Sequence, residues 1–168
     1  MRLTATSYIV LGLVDRLGEA SAYDLKQAVS GSVGNFWSVP HSQVYREAAR
    51  LEDAGYLDGR LEQTPGGRKR KAYRLLPRGT QALEQWRGEP TDVLPDLRDP
   101  GLLKLHLGAD PRRLAAVRRA AHQRKLEEYE ARRPLDTGDG PRGPWLTLDA
   151  GIAHEREWIR FWSELADG

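Results

Sequence analysis

The chain has no cysteine among its 168 residues. Disulfides, thiolate metal sites and cysteine nucleophiles are excluded together, and the composition fits a reducing cytoplasm, the expected location. No stretch approaches the ~20 apolar residues that a membrane-spanning helix requires, so no membrane association is expected. The opening Met1-Arg-Leu-Thr-Ala-Thr-Ser-Tyr-Ile-Val lacks the basic n-region, uninterrupted apolar h-region and small-residue cleavage site of a secretory signal, and none is expected there. Signatures of catalysis are missing too: no nucleophile elbow, phosphate-binding glycine loop or zinc spacing occurs. His41, His106, His122 and His154 are scattered, and His154-Glu155 with Glu157 is a weak metal-like grouping on a charged helix. No enzyme activity, metal site or cofactor is expected.

What is present is a chain long enough for one core of good size, or for a small domain plus an oligomerisation element. The net charge of +2 conceals an asymmetry: residues 1–87 carry 13 Lys and Arg against 9 Asp and Glu, the remainder 13 against 15. Basic potential therefore belongs to the first half.

The stretch Ser38-Val-Pro-His-Ser-Gln-Val-Tyr-Arg-Glu-Ala-Ala-Arg-Leu-Glu-Asp-Ala-Gly55 reads as a helix with two unlike faces, Ser38 capping its start and Gly55 ending it. Val44, Ala48 and Leu51 form an apolar stripe that must face a core. Ser42, Gln43, Arg46 and Arg50 fall opposite, and a hydroxyl, an amide and forked cations are the groups that read base edges and grip phosphates. An ordinary surface helix would show the same pattern. Its neighbours decide between the two.

Upstream, Thr6 or Ser7 is expected to cap a helix whose Ile9, Leu13 and Leu17 recur every four residues, with Val10 and Val14 widening the stripe and Gly18 stopping it. Ser21 and Asp24 form a capping-box pair before a second short helix with Ala22, Leu25 and Val29 on its buried side. A glycine-bearing turn over residues 31–37 then leads into the two-faced helix. This is the order of a helix-turn-helix, in which the second member reads DNA. Downstream, Tyr56 to Gln63 and Arg68 to Leu75 read as two strands around a Thr64-Pro-Gly-Gly67 tip. The run Arg68, Lys69, Arg70, Lys71 on one arm cannot all face a core, and its repulsion is expected to be relieved only by a polyanion or by solvent and counterions.

Taken together, Asn35-Phe-Trp-Ser-Val-Pro-His-Ser-Gln-Val-Tyr-Arg-Glu47, Arg50-Leu-Glu-Asp-Ala-Gly-Tyr-Leu57 and Arg70-Lys-Ala-Tyr-Arg-Leu-Leu-Pro-Arg-Gly79 resemble the winged helix-turn-helix of PadR-type transcriptional regulators. Leu3-Thr-Ala-Thr-Ser-Tyr-Ile-Val-Leu-Gly-Leu13 and Ser21-Ala-Tyr-Asp-Leu-Lys26 are similar to that family's first two helices. The resemblance implies that His41, Ser42, Gln43, Tyr45, Arg46 and Arg50 lie on a recognition helix and Arg68, Lys69, Arg70 and Lys71 on a wing. One departure is visible: the family usually has Thr-Pro-x-Gly where this chain has Leu76-Pro-Arg-Gly79. A side-chain cap is lost there, typically ~1 kcal/mol.

Pro77 opens a helix through Trp86, and residues 88–101 form a Pro- and Asp-rich linker. Leu102 to Leu107 is a short apolar helix closed by Gly108, and Asp110-Pro111 starts a long one to about Arg133, with Leu114, Val117, Ala121 and Tyr129 on one side. A flexible loop is expected near 134–144. The last helix, from about Leu146 to Ala166, places Leu148, Ile152, Ile159 and Trp162 on a heptad-like seam, broadened by Trp158, Phe161 and Leu165 and interrupted by Glu155. These helices have only each other and another copy to bury against, so a homodimer is expected through Leu148, Ile152, Trp158, Ile159, Trp162 and Leu165. Their placement resembles the longer-tailed branch of the family, the virulence-activator regulators of the AphA type.

The fold expected is mainly α with a small β-hairpin wing: a winged helix-turn-helix over 1–87, a linker, and a helical dimerisation domain over 102–168. The function expected is that of a sequence-specific transcriptional regulator: a homodimeric repressor on an inverted repeat in double-stranded DNA. Trp86, Tyr129, Trp145, Trp158 and Trp162 could line a pocket for a small aromatic effector, although such residues are more often core. The alternative is a helical interaction adaptor that does not bind specific DNA.

Overall fold

The computed structural model describes residues 1–63, 69–133 and 142–167. They divide into two compact units, Met1–Val93 and Leu94–Gly168. Among the described residues, no helix is long and apolar enough to cross a membrane.

The first unit runs α1 (Ala5–Leu17), β1 (Ala20–Ser21), α2 (Ala22–Gly31), a 3-10 turn (Val33–Asn35), α3 (His41–Asp53), β2 (Leu57–Gln63), β3 (Lys69–Leu75) and α4 (Pro77–Gly88). Thr4, two residues before the earlier of the expected caps, caps α1. Its hydroxyl meets the Ser7 N–H while the Ser7 hydroxyl returns to the Thr4 N–H at 2.8 Å, so Ser7 serves as the third helical residue of a reciprocal cap. The buried stripe is rotated accordingly: Val10, Leu11, Leu13 and Val14 are in the core, whereas Leu17 is exposed. Ser21 and Asp24 do form a capping box on α2.

At α3 the expected Ser38 cap is replaced by Pro40, with no side-chain bond to the first turn. Pro40 has an extended-side ψ of 134° that sets the chain outside the helix until His41. The other end closes as expected. Gly55, at φ +72°, lets its own N–H reach Glu52 O (2.9 Å) and the Tyr56 N–H reach Leu51 O (2.9 Å), a paired closure that needs a left-handed residue.

β2 and β3 pair antiparallel with Gly59 opposite Tyr73 and Glu62 opposite Arg70. A two-residue strand that the sequence did not announce, β1, adds to the other edge of β3 through Ala20–Tyr73 and Ser21–Ala72, giving the order β1-β3-β2. Two residues carry no readable alternation. α4 begins at Pro77 with no side-chain cap on Leu76, and Gly79 there is a steric necessity: a Cβ would lie 2.3 Å from Tyr56 O. Leu25, Val29, Val44, Ala48, Leu51, Leu57 and Leu83 join the α1 residues in one core.

The second unit contains α5 (Pro100–His106), α6 (Pro111–Ala131) and α7 (Arg142–Asp167). Asp99 and Asp110 cap α5 and α6, each followed by proline at the first helical position. α6 and α7 pack antiparallel, since Arg118 lies by Trp162, His122 by Glu155, Tyr129 by Gly151 and Arg133 by Asp149. The face that α6 buries differs from expectation: Ala115, Leu126 and Tyr129 are buried and Val117 is exposed. Arg118 and His122 occupy the turns between Ala115 and Leu126, which hid the stripe from an apolar count.

Candidate nucleic-acid interface

α3 owes its placement to burial of one face. Val44, Ala48 and Leu51 are fully inaccessible, each worth about 1.5–3 kcal/mol for the larger side chains, and this turns His41, Ser42, Gln43, Tyr45 and Arg46 outward. Among the described residues Arg46 has no carboxylate partner. His41 Nε2 lies 3.3 Å from Ser30 Oγ, joining the ends of α2 and α3. Gln43 donates Nε2–H to Thr6 Oγ1 at 3.2 Å, which orients its amide from α1. With no side chain capping α3, the positive end of its dipole is left uncompensated by the protein.

Arg50 differs from Arg46. It turns to Glu47, donating Nε–H to Oε2 at 2.9 Å and Nη2–H to Oε1 at 2.5 Å. Glu47 is only 8% exposed and lies within the apolar stripe. Burial pushes its carboxyl up, but hydrogen bonds from Arg50 and Ser7, with the Arg50 charge, outweigh this and hold it below the usual carboxylate range. Residue patterning missed Glu47 and gave Thr6 and Ser7 only a capping role, not their bonds to Gln43 and to Glu47 and Arg50. The available signal was a glutamate on the apolar side of a helix with an arginine three residues on, since a buried charge requires a partner.

The wing also departs from expectation. Arg68 and the tip Thr64–Gly67 lie outside the described residues; Lys69, Arg70 and Lys71 are exposed on β3. Their repulsion is not left to a polyanion or solvent alone. Lys71 Nζ binds both Glu52 oxygens, at 2.8 and 2.7 Å, and Arg70 pairs with Glu62 at 3.2 Å and Asp24 at 3.6 Å. The Glu52 hydrogen bond raises the Lys71 pKa. Carboxylates from α2, α3 and β2 converge on β3 only through tertiary packing, so local charge counting could not find them.

In the second unit the proposed seam is largely filled from within. Ile152 packs with Leu126 and Tyr129, flanked by Leu148 and Ile159, and Trp162 is fully buried. Ile152 and Trp162 are thus taken by the chain itself, correcting the expectation that a second copy covers the whole seam; Leu148, Trp158, Ile159 and Leu165 stay half-buried. Glu155, the polar interruption, accepts from His122 Nδ1 at 2.6 Å, and Arg118 Nη2 donates to His122 Nε2 at 3.1 Å. These bonds assign the proton of a neutral imidazole to Nδ1. Arg118 also pairs with Asp99.

The residues of the weak metal-like grouping point to different partners: His154 accepts from Trp158 Nε1 at 2.8 Å, Glu155 turns to His122, and Glu157 pairs with Arg160. The aromatic residues separate likewise. Trp86 stacks on Tyr8 in the first unit at 4.7 Å, whereas Trp158, Phe161 and Trp162 form a cluster in the second. Tyr129 lies against Gly151 under Lys125, and Trp145 is half-buried on the first turns of α7.

Residues 10–85 match the transcriptional regulator PadR-like family, and residues 97–167 match the C-terminal region named virulence activator alpha. The chain is 33% identical over 99 residues to the negative transcriptional regulator PadR of Bacillus subtilis, a match spanning 59% of this chain and 54% of that protein. The structure of Bacillus subtilis PadR in complex with operator DNA superposes with a TM-score of 0.88 at 24% identity, covering 98% of both chains. The same protein with p-coumaric acid gives 0.78 at 23% identity over 98% of this chain and 97% of that one. The virulence activator AphA of Vibrio cholerae gives 0.70 at 24% identity over 97% and 96%. These similarities establish the fold over the whole chain, a winged helix in the first unit and helices in the second. Both units are matched in order: residues 10–85 form a domain of the PadR-like family of transcriptional regulators, a family of regulators and not of enzymes, and residues 97–167 resemble the C-terminal region of the virulence activators.

Proposed function

We propose that this regulator is a homodimeric repressor that reads an inverted repeat in double-stranded DNA, with α3 in the major groove and the β2–β3 wing along the backbone. The observation that carries this reading is the division of α3. One face is locked into the core by Val44, Ala48 and Leu51, while His41, Ser42, Gln43, Tyr45 and Arg46 stand exposed beside an uncapped helix start. Arg46 and Gln43 supply base-edge contacts of ~1–3 kcal/mol each. Lys69, with Arg68, supplies phosphate contacts. The relative from Bacillus subtilis named a negative regulator supports repression as the sense of the response.

Each subunit reads one half-site, and a two-fold axis presents the second at high effective concentration. Exposed Leu103, Leu107, Val117 and Leu146, with half-buried Leu148, Trp158, Ile159 and Leu165, supply apolar surface for the second copy. A small aromatic effector is proposed for the second unit. There the Trp158–Phe161–Trp162 cluster holds a buried Trp162 Nε1–H, and nearby Arg118 a buried Nε–H, each without an acceptor among the described residues.

The decisive experiment is selection of bound sequences from a random duplex library by the full chain, followed by titration in rising salt. An enriched inverted repeat is expected, with Arg46→Ala and Gln43→Ala relaxing preference at defined positions. Lys69→Gln should flatten the salt dependence by about 0.9 in the slope of log K against log salt. No enrichment and no salt-dependent binding would leave the reading without support.

A further inference from the structure

We propose that Ser7, Glu47 and Arg50 form a strut that sets how α3 lies on α1, so that Arg50 is a positioning residue and not a contact to phosphate or base. The proposal rests on the DNA-reading function above and divides that face into groups that read and groups that hold.

A carboxylate buried in an apolar stripe must be answered from within the fold. Glu47 is answered twice: Ser7 donates Oγ–H to Oε1 at 2.5 Å, and Arg50 grips both oxygens through Nε and Nη2. Ser7 is itself fully buried. Its hydroxyl accepts from the Thr4 N–H at 2.8 Å and from Arg50 Nη2 at 3.1 Å while donating to Glu47, so its one proton and two lone pairs are all used. Because Ser7 belongs to the reciprocal cap of α1, the strut ends on the best-fixed turn of that helix.

The orientation of Arg50 follows. Nε and Nη2 serve Glu47 and Ser7, and Nη1 points to Arg2 O at 3.4 Å. All three guanidinium nitrogens therefore face protein acceptors, leaving no free fork for a bidentate base contact. Arg46, one turn earlier, is exposed with no carboxylate partner among the described residues. Two arginines on one helix have been given opposite tasks. A second tie holds the far end of α3: Glu52 receives Lys71 from β3, and Gly59 of β2 makes room for the pair, since a Cβ there would lie 2.3 Å from Glu52 Oε1. Between these two ties α3 cannot roll about its axis, and a roll would misdirect Arg46 while leaving the positive charge of the surface unchanged.

The test uses the full chain with two probes, the duplex that wild type selects from a random library and a random-sequence duplex of equal length. Arg50→Met should reduce the preference for the selected duplex roughly tenfold or more, with the salt slope on random duplex unchanged. Arg50→Lys, which restores the charge but not the fork, should fail to recover the preference. Adding Glu47→Gln to Arg50→Met should recover much of it, because the stranded carboxylate is then gone. Loss of about 0.9 from the salt slope in Arg50→Met together with rescue by Arg50→Lys would identify a phosphate contact and overturn the strut. If circular dichroism shows Arg50→Met unfolded, Ser7→Ala decides instead: lowered preference at constant slope supports the strut, and unchanged preference overturns it. A wild type that selects no sequence removes the proposed function and the strut together; a selective wild type with a phosphate-like Arg50 removes the strut alone.

Discussion

The two units solve opposite packing problems. In the first, four helices and a small sheet close over one apolar core, and the buried carboxylate Glu47 sits at its edge under an arginine. In the second, among the described residues, a small buried apolar cluster of Leu126, Tyr129 and Ile152 joins α6 to α7, and the interface continues through Arg118, His122 and Glu155. Apolar contact tolerates small slips and stabilises by area, whereas a chain of hydrogen bonds permits one register and stabilises little once desolvation is counted. The first unit is therefore built to be stable, and the second to be specific in pairing while leaving apolar surface over.

Leu51→Ala should break this comparison from the first side with the largest effect. It opens a cavity in a fully buried site where α3 meets the core, with an expected loss of about 3 kcal/mol. Amide hydrogen exchange would show it as faster exchange across α1 and α3, with α6 and α7 protected as before. Equal loss in both units would mean that they do not unfold separately.

On the second side, Glu155→Ala should lower stability by about 2 kcal/mol, because His122 loses its acceptor in a buried place. The paired change His122→Leu with Glu155→Leu should be neutral or stabilising by thermal melting. A double mutant less stable than Glu155→Ala would show that the polar chain contributes net stability and that the contrast between the units is weaker than drawn.

The smallest effect concerns pH. The Glu47 carboxyl is depressed in the folded protein, so its contribution is present above the unfolded glutamate pKa near 4.3 and is lost as pH falls through the lower folded value. Asp24, lowered by the Ser21 hydroxyl and N–H, acts in the same direction. Protection of α1, α2 and α3 amides should decline below about pH 4, and Glu47→Gln should reduce that decline.

Much of this was legible in the residues. The Ser21–Asp24 box, the Asp110-Pro111 start, the Gly55 stop, the Val44–Ala48–Leu51 stripe and the pairing of β2 with β3 all follow from local rules with short reach. The errors are of two kinds. Ser38 yielded to Pro40, Thr6 to Thr4, and the Leu114–Val117–Ala121 stripe to one containing Arg118 and His122. The caps are local choices, Thr4 bonding Ser7 three residues on, whereas the stripe of α6 was decided by α7, distant in sequence, which packs against it.

By itself the sequence determined the element order, the two-faced character of α3 and the basic wing, because periodicity, caps and turn residues act within a few positions of one another. Only the tertiary structure decided which charges are free. Arg46 and Arg50 are the same residue type one turn apart, and Lys69 and Lys71 are two positions apart on one strand. What separates Arg50 from Arg46, and Lys71 from Lys69, is a carboxylate: Glu47, set under Arg50 by α1, and Glu52, brought to Lys71 from another element. Long side chains choose partners through space, and no spacing rule along the chain records that choice.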